Sequence, residues 1–292
     1  MPSPQPCLLR AATLATALAF TPALAACSQT TQAGPAAPPP HTVSKALPSS
    51  HVHGITVSGD TSQVLLATHD GLFDMTKNPA TKIGDTMDLM GFTAGADGVF
   101  YASGHPGSGS TLPNPLGLLK STDGGKTWEE LSRQGESDFH AMAATKSGII
   151  AFDGQLRSTT DGKRWDTVPA GFAPAILAGH PDTDIVLATT AAGIQRSVNG
   201  GNTWDLVPNG PVIQFAAFAD PLEAVGAAPD GTTYYSADAG ATWIKKGRID
   251  GQVQAIAAVN GQHGNPWLWA ATTEGIVVST DAGTTFRAAD GG

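Results

Sequence analysis

One eight-residue string recurs five times in this chain, and it restricts the available folds more than any other feature. It reads STDGGKTW at Ser121–Trp128, STTDGKRW at Ser158–Trp165, SVNGGNTW at Ser197–Trp204, SADAGATW at Ser236–Trp243 and STDAGTTF at Ser279–Phe286. The copies begin 37, 39, 39 and 43 residues apart. Repeats of this length cannot close a core alone; they bury their apolar faces against neighbours in a solenoid or a propeller. Three copies keep serine, aspartate and glycine in register, as Ser121/Asp123, Ser236/Asp238 and Ser279/Asp281. Asn199 replaces the aspartate in one copy, and Asp161 is displaced by one in another.

The chemistry of the string is that of a tight hairpin. Asp and Asn oxygens accept local N–H groups, and glycine takes the positive-φ positions. The residue that closes each string (Trp128, Trp165, Trp204, Trp243 or Phe286) then places a large ring between neighbouring sheets. One carboxylate per turn falls far short of the oxygens calcium requires. Composition agrees with a turn-rich β protein: 35 Gly and 21 Pro accompany only 14% charged residues. Apolar runs are short and bounded by Gly, Asp, Asn and Pro, with no sustained helical period.

Strand-like runs precede every string. Units start at HVHGITVS, DLMGFTAG, DFHAMAAT, PAILAGH, VIQFAAFAD and VQAIAAVN. The first has no string and closes through a degenerate hairpin at KNPATKIG. The expectation is an all-β, six-bladed β-propeller of four-stranded blades over residues 49–292.

These strings resemble the Asp-box, or BNR, repeat (S-x-D-x-G-x-T-W) of sialidases and many other propellers. The chain is similar to exported bacterial lipoproteins labelled as sialidase-like glycosyl hydrolases. That resemblance implies the scaffold directly and a glycosidase activity only as an option, because the box is structural. A sialidase needs three converging arginines, a tyrosine nucleophile with a glutamate, and an aspartic acid. Arg157, Arg164, Arg196 and Arg287 lie in or beside the strings, away from the expected active rim. Tyr101, Tyr234 and Tyr235 show no evident glutamate partner.

The N-terminus reads as a targeting segment. Arg10 precedes an apolar Ala-rich stretch, and Leu24-Ala25-Ala26-Cys27 resembles a bacterial lipobox. Residues 1–26 are then a lipoprotein signal peptide, Cys27 carries the lipid, and residues 27–48 form a Pro-rich tether. The expected location is the outer side of a bacterial cell membrane. Cys7 would leave with the signal, so no disulfide or thiolate metal ligand remains. The processed chain would hold 15 basic against 25 acidic residues, a net charge of −10. Such a chain is a poor partner for nucleic acid; a metal ion, a glycan or an exported protein are the partners left open.

Eight histidines are unevenly placed. His41 falls in the tether, and His180 and His263 fall in turns on the same face as the boxes, the bottom. The other five face the top: His51 and His53 start the first strand of blade 1, and His140 starts that of blade 3. His69 and His105 end the second strands of blades 1 and 2. Aligning the inner strands puts His53, Met90 and His140 in one column, with His51, Asp88 and Asp138 in another. Imidazoles with a thioether suit copper, and imidazoles with carboxylates suit zinc. The leading expectation is a transition-metal site, copper favoured over zinc, drawn from His51, His53, His69, Met90, His105 and His140. The alternative is a glycoside hydrolase with Asp88 and Asp138 as its carboxylate pair; a third option is a protein-binding or assembly propeller. The loop from Gly104 to Gly117 would lie over the same sector.

Overall fold

The computed structural model describes residues 47–261 and 264–289. The leader at 1–26, Cys27, nearly all of the tether, His41 and His263 lie outside the described residues. The rest forms six antiparallel sheets, each of four consecutive strands.

Blade 1 holds β1 (Val52–Val57), β2 (Val64–Thr68), β3 (Gly71–Asp74) and β4 (Thr81–Ile83). Blade 2 holds β5 (Met87–Ala94), β6 (Phe100–Pro106), β7 (Leu118–Ser121) and β8 (Glu129–Ser132). Blade 3 holds β9 (Ala141–Thr145), β10 (Gly148–Phe152), β11 (Leu156–Thr159) and β12 (Asp166–Thr167). Blade 4 holds β13 (Ile176–Gly179), β14 (Val186–Thr190), β15 (Gly193–Ser197) and β16 (Asp205–Leu206). Blade 5 holds β17 (Phe215–Phe218), β18 (Ala224–Ala227), β19 (Thr232–Ser236) and β20 (Ile244–Arg248). Blade 6 holds β21 (Val253–Val259), β22 (Trp267–Thr272), β23 (Gly275–Ser279) and β24 (Arg287–Ala288). The first strands touch in succession, and β21 returns to β1 to close the ring. This is a six-bladed β-propeller.

The core lies between blades, and the box aromatics show why the spacing repeats. Trp128 packs on Leu65 and Leu72 of blade 1 as well as on its own blade. Trp165 stacks on Phe139 at 4.8 Å between ring centroids, in the seam between blades 2 and 3. Trp204, Trp243 and Phe286 occupy the next three seams in the same way. Each ring thus removes apolar surface of two sheets from water at once, the main term holding neighbouring blades together.

The turns themselves are held by side chains. Asp123 accepts from Lys126 N and Thr127 N at 3.0 Å, and from Thr127 Oγ1 at 2.7 Å. Ser121, Ser197, Ser236 and Ser279 each accept from a glycine N–H four residues on, at 2.8–2.9 Å. The second copy departs from the expected register. There the hydroxyl is that of Thr159, not Ser158: Gly162 N donates to Thr159 Oγ1 at 2.9 Å, and Thr159 donates to Asp161 at 3.2 Å. This copy is one residue shorter, with one glycine where the others have a pair of small residues. Aligning it from its tryptophan therefore misplaces its hydroxyl by one.

Candidate functional site

First strands begin at the top, and three of them are bulged there. The pairing of β1 with β2 slips between Val52 and Gly54, that of β5 with β6 between Asp88 and Gly91, and that of β21 with β22 between Val253 and Ala255. A bulge frees a residue from the ladder and re-aims its side chain. His53, Met90 and Gln254 occupy these slips. Gln254 turns to the ring seam, where it accepts from Val52 N at 2.7 Å and donates to Ser50 O at 3.2 Å. His53 and Met90, with His140, line the top of an axial cavity of about 460 Å³. The walls below are largely alanine, with His180 and Pro181 toward the other end.

Two imidazole–carboxylate clusters sit around that mouth. In the first, His69 Nδ1 lies 2.8 Å from Asp88 Oδ1 and 3.3 Å from His53 Nε2. His53 Nε2 lies 3.8 Å from the same carboxylate oxygen. One ligand atom from each of His53, His69 and Asp88 falls within 4.8 Å of the others. The His51 ring stands edge-on to His69 at 5.2 Å. Burial holds His53 below its usual imidazole range, and the neighbouring imidazole charges of His69, His51 and His140 add to this against the opposing pull of Asp88. A neutral imidazole is the form that ligates metals.

The second cluster belongs to blades 2 and 3. Asp138 Oδ2 lies 2.6 Å from His140 Nε2 and 3.2 Å from His105 Nε2. His105 Nδ1 donates to Asn114 Oδ1 at 2.7 Å, an acceptor supplied by the loop that follows β6. Gly104 makes this approach feasible: its φ is 143°, and a Cβ there would lie 1.9 Å from the Asp88 carbonyl oxygen.

All five histidines expected at the top therefore cluster there, but not as the single column His53–Met90–His140. His53 and His140 pair with different aspartates. Asp88 and Asp138, expected as a catalytic pair, are each engaged by histidine. Asn114 escaped sequence reasoning because its role depends on how the loop folds back.

The glycosidase signals are distributed differently. Arg157 Nε meets both Asp153 oxygens at 2.9 and 3.0 Å, and Arg196 Nε donates to Ala239 O at 2.8 Å. Tyr235, expected to lack a glutamate, donates to Glu223 Oε1 at 2.5 Å. Burial and that carboxylate push its hydroxyl up to about 12. Glu223 precedes β18, so this pair belongs to the bottom of blade 5, at the far end from the histidines.

Fold and repeat together define the class, a six-bladed β-propeller built from Asp-box repeats. The BNR/Asp-box repeat family model matches residues 119–130. No curated protein matches the sequence at a significant level. Among solved structures, the GH74 xyloglucanase from Xanthomonas campestris aligns with a TM-score of 0.56 and 15% identity, over 77% of this chain and 38% of that one. The GH74 enzyme of Niastella koreensis aligns with a TM-score of 0.53 and 18% identity, over 84% of this chain and 37% of that one. YCF48 from Cyanidioschyzon merolae aligns with a TM-score of 0.52 and 12% identity, over 82% of this chain and 98% of that one. The chain thus spans under two-fifths of the length of either GH74 enzyme. At these identities the likeness is one of fold.

Proposed function

We propose that this chain is an exported, lipid-anchored propeller whose top face binds a divalent transition-metal ion, in metal handling or tolerance. The observation that carries the reading is the convergence of His53 Nε2, His69 Nδ1 and Asp88 Oδ1 within 4.8 Å. Two nitrogens and one oxygen suit Cu(II) or Zn(II), and for a given set of this kind Cu(II) binds more tightly. With no ion bound, His69 Nδ1–H donates to Asp88; an ion would displace that proton and take the lone pair. The depressed basicity of His53 keeps its ring available near neutral pH. Three protein ligands leave a position for water or an exchanging donor, which fits a site that takes up and releases its ion.

The test is a titration of Cu(II) and Zn(II) into the full-length chain, purified without a histidine tag. Saturable binding is expected, weakened at least about tenfold in Asp88→Asn and removed from this site in His53→Ala/His69→Ala. Unchanged binding in the double variant would overturn the assignment. Turnover of an aryl-glycoside that is lost in Asp88→Asn or Asp138→Asn would instead favour glycoside hydrolysis. A specific partner protein captured without either activity would favour the assembly reading.

A further inference from the structure

The two clusters are the same arrangement repeated one blade apart. In each, the histidine at the end of a blade's second strand faces an aspartate at the start of the next blade's first strand. His69 faces Asp88 across blades 1 and 2, and His105 faces Asp138 across blades 2 and 3. Each cluster then has one further imidazole, His53 in the first and His140 in the second.

We propose that His105, Asp138 and His140 form a second, separate site for a divalent transition-metal ion. Both Nε2 atoms address the same carboxylate oxygen, at 3.2 and 2.6 Å. The His105 tautomer is fixed from outside: Asn114 Oδ1 can only accept, so Nδ1 carries the proton and the Nε2 lone pair faces the cluster. An outer acceptor that orients a ligand imidazole in this way is characteristic of metal sites. Asn114 is itself held, because Leu116, two residues on, is fully buried and donates its N–H to Gly104 O at 2.8 Å. The remaining Asp138 oxygen, Oδ1, is buried with no hydrogen-bond partner. A cation at the cluster would offset the cost of leaving that oxygen unpaired. The inference shares the metal chemistry of the first site but stands on residues that site does not use.

The experiment is Cu(II) binding stoichiometry and affinity by calorimetry on the full-length untagged chain. Two equivalents are expected. His105→Ala/His140→Ala should bind one, and Asn114→Ala should weaken that same step about tenfold while leaving the other unchanged. Asp138→Asn, which preserves the side-chain shape, should act like the double variant and replaces it if that variant does not fold. A single equivalent lost only in His53→Ala/His69→Ala would overturn the second site and leave the first. A single equivalent lost only in His105→Ala/His140→Ala would do the reverse, and no binding would overturn both.

Discussion

Asp88 reaches back across a blade boundary, placing its Oδ1 2.8 Å from Nδ1 of His69. The contact draws the end of β2 and the start of β5 together and sets His69 against the ring of His53, at 4.3 Å between centroids. The carboxylate does not win over its surroundings at His53. Burial and the adjacent imidazoles hold that ring below its ordinary value of 6.5.

That depression has a defined consequence for stability. Above pH 6.5 the ring is neutral in both folded and unfolded chains, and the contribution of His53 is complete. As pH falls beneath this value the unfolded chain takes up a proton that the folded chain resists, so stability is lost down to the folded pKa. The groups facing His53 are His69, Asp88, His51 and His140. His53→Gln should therefore flatten the acid limb of Tm against pH between about pH 7 and 5. The expected difference from wild type is a few degrees, read by thermal melts without added metal. Parallel curves would show that the ring titrates as freely in the fold as out of it.

The second box makes a sharper structural prediction. Thr159 Oγ1 is the acceptor for the buried Gly162 N–H, whereas Ser158 is the serine that string alignment selects. Thr159→Val keeps the shape and strands that N–H, which should cost about 1–3 kcal/mol in chemical denaturation. Ser158→Ala should stay within about 0.5 kcal/mol of wild type. The opposite ranking would restore the alignment-based register.

The Asp-box turns were readable because their hydrogen bonds span at most four residues, so the spacing of Ser121, Asp123 and Gly125 carries the geometry. The histidine sector was readable for a related reason. Strand ends fall on alternate faces, which puts His69 and His105 beside the starts of β1, β5 and β9. The pairing inside that sector was hidden. Bulges at His53 and at Leu89–Met90 break the simple column, so His53 and His140 go to separate carboxylates. Glu223 finds Tyr235 across neighbouring strands, and Asn114 finds His105 through a folded-back loop; neither contact has a sequence period to betray it.

The seam between blades 6 and 1 carries the last prediction. Every sheet is built from four consecutive strands, so no strand is exchanged between the chain's first and last blades. Blade 1 has no box, and this seam therefore lacks the box aromatic that fills the other five. Gln254 compensates in part, holding Val52 N and Ser50 O with one amide. Gln254→Ala should lower the unfolding free energy by about 1–3 kcal/mol, because the partly buried Val52 N–H loses its acceptor. Gln254→Glu keeps the acceptor for Val52 but loses the donor to Ser50, and should fall between wild type and Gln254→Ala. Hydrogen exchange should quicken first in β1 and β21, next to the seam, before the Trp165 seam responds. An unchanged urea midpoint with unchanged exchange at Val52 would mean that apolar packing of β1 on β21 and β22 closes the ring unaided.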